Sequence, residues 1–439
     1  MAEKCIAVTG RPLGPVKPVN GVGQPPMRGI DTSRFHYLTE AGIPFSRLHD
    51  VGGYFGGGLF VDIPNIFRDF SADPDDPASY DFGFTDILIT GLVSAGVEPF
   101  FRLGVTIENY CTVRAYTIYP PADSLKWARI CEGIIKHYTE GWAGGFRCSI
   151  RYWEIWNEPD NEKDPLANPM WRGTKEQFYD LYETAAKYLK KRFPGLKIGG
   201  YGSCGFYALF NESAPPAANV GERYDYFMEF FDGFLDRLKT SGAPLDFFSW
   251  HSYGSIENNI VFANYARERL DGAGFTGTEI FCNEWNLDIG LKGTLRHSAS
   301  VAGMLLAFSE LPLDGAMFYD AQLSVSDYGG LFNPLTKKPF PAYYSFAFFK
   351  VLRDLGTLIS AEVSGLPGVY AKAASDGKNG ALMVANCSGK QLRNVRISLP
   401  SGKEPRRVRE IFSKGLEAGV RDIDFNGNIG RDKVLLFDF

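Results

Sequence analysis

Eight short β-rich runs, each followed by a helical stretch, recur between about residue 19 and residue 355 of the chain. Strands that alternate with helices form parallel βα units, because each helix returns the chain to the same edge of the sheet. Eight such units over about 340 residues predict an α/β fold, a closed (β/α)8 barrel. A doubly wound open sheet is the alternative, but it calls for a glycine-rich phosphate turn after the first strand, and none is convincing. The strand-like runs lie near 19–23, 45–49, 97–103, 152–158, 196–200, 245–251, 279–284 and 315–319.

The pattern changes after Gly356, where strand-like runs are separated by turn residues instead of helices. This change predicts a smaller antiparallel β-sandwich. The run at residues 4–9 has no partner in the barrel and is expected to join the sandwich, whereas the Pro/Gly-rich stretch after it is typical of a linker. We therefore expect a barrel at 17–355 and an accessory domain built from 1–16 and 356–439. The C-terminal strand-like runs are 369–373, 381–386, 395–399 and 434–437.

Composition narrows the classes of function. A net charge of −5 argues against a nucleic-acid partner, and no apolar run is long enough to span a membrane. The seven cysteines never form Cys-x-x-Cys, and the five histidines lack the spacing of metal ligands, so neither a metal nor another cofactor is expected. The N-terminus lacks the apolar core of a signal peptide, which is expected of a cytoplasmic protein or of a secreted protein already trimmed. The oligomeric state cannot be predicted.

The fourth run, Tyr152 to Asp160, reads Tyr-Trp-Glu-Ile-Trp-Asn-Glu-Pro-Asp. Pro159 has no N–H for a ladder hydrogen bond, so we expect it to end the strand and leave Glu158 at the carboxyl end, where barrels carry their chemistry. The seventh run ends similarly, in Asn283 and Glu284. Strands four and seven face each other across a barrel mouth, so two carboxylates would flank one bond.

Two facing carboxylates are what glycoside hydrolysis requires. One protonates the leaving oxygen while the other supports the anomeric carbon, about 5–5.5 Å apart in retaining enzymes and about 6.5–9.5 Å apart in inverting ones. The acid is expected to have a raised pKa and the nucleophile a low one.

Four motifs carry a resemblance to a known family: 47–49 (Arg-Leu-His), 155–159 (Ile-Trp-Asn-Glu-Pro), 251–253 (His-Ser-Tyr) and 283–286 (Asn-Glu-Trp-Asn). They resemble the retaining glycosidases of clan A and, within it, glycoside hydrolase family 39, which includes β-xylosidases and α-L-iduronidases. The resemblance implies a barrel with a β-sandwich and a double displacement without a cofactor. It also implies that Glu158 is the acid/base and Glu284 the nucleophile.

The remaining candidates would bind a carbohydrate substrate. The resemblance implies that Asn157 holds the sugar 2-hydroxyl, that Arg47 lies under the nucleophile, and that the reacting sugar is lined by His49, His251 and Tyr253. Tyr253 would also hydrogen-bond Glu284. Two more candidates come from position alone: Trp285 directly follows the nucleophile, and Tyr319 stands where the clan usually places a tryptophan platform.

The first substrate expectation is a β-xyloside cleaved by exo action. An endo-acting enzyme, an α-L-arabinosidase and an iduronidase-like enzyme are alternatives, and uronic-acid recognition would need a cation such as Arg102 or Arg114 in the mouth. Two further classes stay open. A non-catalytic carbohydrate-binding barrel would lack one of the two glutamates, and a lyase or metal hydrolase would need a lysine base or a His/Asp cluster at the strand ends.

Overall fold

The computed structural model describes residues 3–51, 61–106, 118–213, 220–323, 325 and 328–439. The strands in these ranges are β1 (Cys5–Pro15), β2 (Gly21–Gly23), β3 (Phe45–Leu48), β4 (Glu98–Leu103), β5 (Tyr152–Ile155), β6 (Lys197–Ser203), β7 (Phe247–Ser252), β8 (Glu279–Trp285), β9 (Gly315–Phe318), β10 (Thr357–Ser364), β11 (Val369–Ser375), β12 (Gly380–Asn386), β13 (Arg396–Ser398), β14 (Arg407–Lys414), β15 (Glu417–Asp422) and β16 (Val434–Asp438). The α-helices are α1 (His36–Glu40), α2 (Ile63–Ile66), α3 (Gly83–Ser94), α4 (Ser124–Thr139), α5 (Lys175–Arg192), α6 (Val220–Ser241), α7 (Ile256–Gly272), α8 (Leu295–Phe308) and α9 (Pro341–Leu355).

Strands β2 to β9 pair in order and form a closed barrel of eight parallel strands, which confirms the predicted (β/α)8 fold. The first strand is only three residues long, and it closes the barrel by pairing Gly21 with Met317 and Val22 with Phe318 of β9. A side chain at Gly21 would lie 2.8 Å from the carbonyl oxygen of Ala316, so the closure requires a glycine there.

The interior of the barrel is layered, because successive side chains of a strand point to opposite faces. One buried apolar layer contains the side chains of Phe45, Phe100, Tyr152, Phe247, Phe281 and Met317. Two residues further along five of these strands, the inward positions are polar and buried: Arg47, Arg102, Glu154, Ser249 and Asn283. The apolar layer therefore supports a polar layer nearer the carboxyl ends of the strands.

The accessory unit is an eight-stranded, mainly antiparallel sheet in the order β13-β1-β10-β11-β12-β16-β14-β15. Strand β1 joins it between β10 and β13, as expected for the N-terminal run. On β12, Leu382 and Val384 belong to the core of the sheet itself, whereas Met383 belongs to the core shared with the barrel helices. The domain limits at 16/17 and 355/356 stay a prediction.

The predicted linker after residue 9 was wrong. Strand β1 continues to Pro15 and pairs with β10, with register shifts between Val8 and Pro12 and between Pro12 and Gly14. Its partner on the other side, β13, reaches only Ala7, so the later residues form an open edge where a proline needs no ladder partner. The sequence reading also missed β10, β14 and β15. Strands β14 and β15 form a hairpin rich in charged and exposed residues, which lacks an alternating apolar pattern.

Candidate active site

Arg47 lies in the polar layer of the barrel and contacts three side chains of the mouth. Its Nε donates to Glu154 Oε2 at 2.8 Å, its Nη1 to Glu284 Oε2 at 2.9 Å, and its Nη2 to Asn157 Oδ1 at 2.6 Å. Burial by itself would lower the pKa of the guanidinium, but the charges of Glu154 and Glu284 outweigh it and raise that pKa. A buried arginine with two carboxylate partners is a fixed charge that holds the site together.

The side chain of Glu284 points into the mouth because of a β-bulge in the pairing of β7 with β8. The pairing of β7 with β8 shifts by one residue, so that Trp250 faces Cys282 but the next residue, His251, faces Glu284. Such a bulge re-aims a side chain that strict alternation would send to the other face. Both oxygens of Glu284 then accept hydrogen bonds, from Arg47 at Oε2 and from the Tyr253 hydroxyl at Oε1 over 2.7 Å.

Glu158 lies beyond the end of its strand, and Pro159 is not what ends that strand. Strand β5 stops at Ile155, and the next residue, Trp156, adopts a left-handed φ of 73°. Glu158 is also left-handed, with φ 45°, and its backbone N–H donates to the carbonyl of Gly202 at 2.9 Å. The turn is therefore made by two strained, non-glycine residues and tied to the end of β6.

The carboxylate of Glu158 is held from both sides. His251 Nδ1 lies 2.7 Å from Oε1, and the Asn161 amide donates to Oε2 at 2.7 Å. Asn161 is itself held by Arg223, whose Nη2 donates to the Asn161 side-chain oxygen at 2.8 Å.

The pKa of Glu158 does not follow the expectation for a general acid. Burial alone would raise this pKa, but the hydrogen bond and charge of His251, with smaller contributions from Asn161 and Arg223, lower it. The expected raised pKa was therefore wrong for the free site. Burial likewise opposes the charged form of His251, but Glu284 and Glu158 outweigh it and raise the pKa of that imidazole.

Three ionisable groups meet in the mouth. One ligand atom each from Glu158, His251 and Glu284 lie within 4.8 Å of one another, and all three residues are buried. Carboxyl groups this close fall below the separation of about 6.5–9.5 Å that leaves room for the water of an inverting reaction. The arrangement can attack a carbon with one carboxylate and exchange a proton through the other.

The same three atoms are spaced as metal ligands would be. However, the permanent charge of Arg47 lies 2.9 Å from Glu284 and would repel a cation bound beside it. His251 Nδ1 is also already hydrogen-bonded to Glu158. The donor set therefore suits proton transfer better than metal binding.

His49 and Tyr319 reach the mouth from the ends of β3 and β9, the two strands that flank β2, and meet at Asp50. The Tyr319 hydroxyl donates to Asp50 Oδ2 at 2.8 Å and accepts from Gln24 at 2.6 Å. His49 Nε2 lies 3.2 Å from the other oxygen of Asp50. Burial raises the pKa of Asp50 to about 8, against the hydrogen bond from Tyr319. Burial, with the charges of Arg102 and Arg47, holds the pKa of His49 well below its usual value, so His49 is neutral.

Trp285 does not reach the mouth, contrary to the expectation of a sugar contact. Its side chain is fully buried, with ring centroids 5.4 Å from Phe308 of α8 and 5.2 Å from Phe318 of β9. Directly after Glu284 the chain resumes its alternation, so this indole packs between the barrel and its helices.

Of the two cations considered for uronic-acid recognition, Arg102 is described in the structure and is already paired with a carboxylate. Arg102 is fully buried, and its Nη2 donates to Asp62 at 2.7 Å. Arg114 lies outside the described residues.

The sequence reading missed Glu154 and Asn161. A signal for Glu154 existed, because it lies two residues after Tyr152 on a buried strand and therefore faces inward with Arg47. Asn161 lies in the turn after β5, where no periodic pattern indicates which way a side chain points.

The fold places the chain among the (β/α)8 barrels with an accessory β-sheet. The model of the glycosyl hydrolases family 39 matches residues 40–270, more than half of the chain, and the chain belongs to that family. No described helix has the length and apolar character needed to cross a membrane.

Two curated relatives are β-xylosidases. That of Geobacillus stearothermophilus is 26% identical over 222 residues, which are 48% of this chain and 38% of the relative. That of Caldicellulosiruptor saccharolyticus is 27% identical over 226 residues, 49% of this chain and 37% of the relative. The matches thus span well under half of either relative.

Solved structures show the same fold over the whole chain. A glucosidase from Croceicoccus marinus superposes with a TM-score of 0.74 at 20% identity, covering 99% of this chain and 98% of that one. A monomeric β-xylosidase from Caulobacter crescentus CB15 superposes with a TM-score of 0.65 at 16% identity, covering 99% of both chains.

Proposed function

We propose that this protein is a retaining glycoside hydrolase that works by double displacement, with Glu284 as nucleophile and Glu158 as acid/base. The observation that carries the proposal is the pair of buried glutamates with side-chain oxygens within 4.8 Å of each other at the carboxyl ends of opposite strands. Because both glutamates are present, the rival of a non-catalytic carbohydrate-binding barrel is disfavoured.

In the first step a Glu284 oxygen bonds to the anomeric carbon while the bond to the leaving oxygen breaks and Glu158 gives that oxygen its proton. In the second step Glu158 takes a proton from water, whose oxygen displaces Glu284 from the sugar. Arg47 and Tyr253 donate to the two oxygens of Glu284 and so hold the carboxylate in one orientation before attack.

The proton for the leaving group is held by Glu158 and His251 together. Their 2.7 Å contact makes them one protonatable unit, in which the proton rests on His251 in the free site because the pKa of Glu158 is lowered and that of His251 is raised. As the leaving oxygen gains charge, the proton moves from His251 to Glu158 and from Glu158 to that oxygen, so Glu158 is left ionised and can take a proton from water in the second step.

Asn157 hydrogen-bonds the 2-hydroxyl group of the sugar. Its side-chain oxygen accepts from Arg47, which can only donate, so its NH2 group is the end that can donate to a substrate. His49, His251 and Tyr319 line the space around the same sugar, Tyr319 with its hydroxyl already engaged.

A β-xyloside is the proposed substrate, released by exo action. The two curated relatives carry the name β-xylosidase, which supports this choice over the α-L-arabinoside, iduronide and endo alternatives. Arg102, one of the two cations named for uronic-acid recognition, is paired with Asp62 and so lends an iduronide no support.

The test is the initial rate on aryl β-xyloside, β-glucoside, β-galactoside, α-L-arabinoside and α-L-iduronide, with NMR of the first-formed anomer. Glu284→Ala should lose nearly all activity, and Glu158→Ala should keep more of it on aglycones that leave without protonation. Glu140→Ala is the control, because Glu140 forms an exposed ion pair with Arg192 on the surface of the barrel. Full activity in Glu284→Ala, or a first-formed product of inverted configuration, overturns the mechanism. If the enzyme turns over a different glycoside and not the β-xyloside, only the choice of substrate is overturned.

A further inference from the structure

We propose that Glu154 is a positioning residue of the reaction, which acts through Arg47 and Asn283 to set the electrostatic potential at Glu284 and its direction. The inference rests on the proposed function, in which Glu284 is the nucleophile. Glu154 does not face the substrate space, since its side chain is fully buried in the polar layer beneath the mouth.

Three donors from three strands converge on this one carboxylate. Arg47 of β3 donates to Oε2 at 2.8 Å. Ser249 of β7 and Asn283 of β8 both donate to Oε1, each at 2.6 Å. A carboxylate only accepts, so these contacts fix Glu154 as the anion at the centre of the layer.

The first consequence is electrostatic. Arg47 lies 2.8 Å from Glu154 and 2.9 Å from Glu284, so the negative charge of Glu154 offsets part of the positive potential that Arg47 exerts on Glu284. If Glu154 were neutral, this offset would vanish. The stronger positive potential would stabilise the charge of Glu284 and make it a weaker nucleophile.

The second consequence is geometric. The Nε contact with Glu154 fixes the plane of the Arg47 fork, and that plane aims the other nitrogens at Glu284 and Asn157. Asn283, which Glu154 also holds, is the residue directly before Glu284 at the bulge between β7 and β8. Glu154 therefore fixes the orientation of Arg47, which contacts the nucleophile, and the position of Asn283, whose backbone leads directly into Glu284.

The isosteric variant Glu154→Gln isolates the charge. Its amide oxygen can still accept from Arg47, and its NH2 group can donate to Asn283 Oδ1, an atom that has no hydrogen-bond partner among the described residues. Because the charge of Glu154 no longer offsets that of Arg47, we expect a lower kcat with little change in KM. Glu154→Ala removes the anchor of the fork as well and should lower kcat by about 10²-fold, which reflects misplacement of the nucleophile.

Glu279→Gln is the matched control, because Glu279 is also a barrel carboxylate with two partners, the Tyr152 hydroxyl at 2.8 Å and Lys197 at 2.9 Å. It lies at the start of β8, away from the mouth. Its kcat and KM should equal those of the wild type.

A second readout does not need turnover. At constant pH, the 13C-carboxyl resonance of Glu284, assigned with Glu284→Gln, should change position in Glu154→Gln and keep its position in Glu279→Gln. An unmoved resonance in Glu154→Gln, or an equal change in Glu279→Gln, overturns the positioning proposal. Absence of glycosidase activity in the wild type would instead overturn the proposed function, so the two failures are distinguishable.

Discussion

His251 Nδ1 lies 2.7 Å from Glu158 Oε1 and 3.8 Å from Glu284 Oε2, so one imidazole faces both carboxylates of the mouth. The two glutamates raise the pKa of His251 despite its burial, and His251 in turn lowers the pKa of Glu158. Its other nitrogen, Nε2, is buried and has no hydrogen-bond partner in the part of the chain that the structure describes. The histidine is therefore held by its contacts with the acids rather than by the rest of the barrel.

This relationship predicts the pH profile of His251→Asn. In the wild type, the unit of His251 and Glu158 should lose its proton above the ordinary histidine pKa of about 6.5, because both acids raise it. Without the imidazole the only proton store is Glu158, so the basic limb of kcat/KM should move to lower pH. The loss of kcat should be greater for aryl xylosides with poor leaving groups. A limb that moves to higher pH would show that Glu158 titrates alone and that His251 only depresses its pKa.

The sequence predicts the position of a residue where that residue follows a repeating pattern such as strand alternation. Arg47 and Glu154 each lie two residues after an apolar barrel residue, so alternation alone places both in one buried polar layer. Glu284 breaks that alternation at a bulge, which depends on the pairing of β7 with β8 and has no local signature. The motif located Glu284 correctly, whereas alternation would not have turned both Asn283 and Glu284 inward.

The same limit explains the errors at the turn after β5 and in the N-terminal segment. The left-handed Trp156, not Pro159, ends β5, because the tie between Glu158 and Gly202 fixes the turn from a neighbouring strand. Pro12 can lie in strand β1 because the neighbouring strand β13 pairs only as far as Ala7, so no described strand on that side requires an N–H from Pro12. Both outcomes are set by partners distant in the sequence.

Tyr253→Phe should slow the reaction without disturbing the fold, because the nucleophile loses one of the two contacts that hold it in one orientation. The variant removes only the hydroxyl that donates to Glu284 Oε1 at 2.7 Å and keeps the ring packed against Tyr328, with centroids 4.8 Å apart. A hydrogen bond to a charged group contributes about 1.5–3 kcal/mol, so kcat/KM should fall by roughly ten- to a hundredfold with Tm nearly unchanged. Tyr179→Phe loses a hydroxyl bonded to the Phe230 carbonyl outside the mouth and should leave kcat/KM unchanged. Equal kinetics in the two variants would argue against a contact between Tyr253 and the reacting carboxylate.

Trp285→Phe should behave as a core substitution. Because the indole packs against Phe308 and Phe318 and is fully buried, the smaller ring should lower the free energy of unfolding by about 1–3 kcal/mol. The KM for an aryl glycoside should stay at the wild-type value. Urea unfolding and initial rates check the two halves of the prediction. A raised KM with unchanged stability would restore Trp285 as a sugar contact.

Asp50→Asn should stabilise the protein in alkaline solution. The pKa of Asp50 is raised to about 8 in the folded protein from its ordinary value of 3.8, chiefly by burial. A raised pKa means that the folded state binds the proton more tightly, so its stabilising contribution is complete below pH 3.8 and is lost as the pH rises through about 8. Within that window each pH unit lowers the stability of the wild type by up to about 1.4 kcal/mol, whereas an amide has no proton to lose.

Urea unfolding at pH 5, 7 and 9 should therefore show an advantage of Asp50→Asn that grows with pH. Asp73→Asn, in the loop before α3, is the control and should track the wild type. If the curves of Asp50→Asn and the wild type stay parallel, the buried carboxyl keeps its charge and the neighbouring Tyr319 is not bonded to a neutral acid.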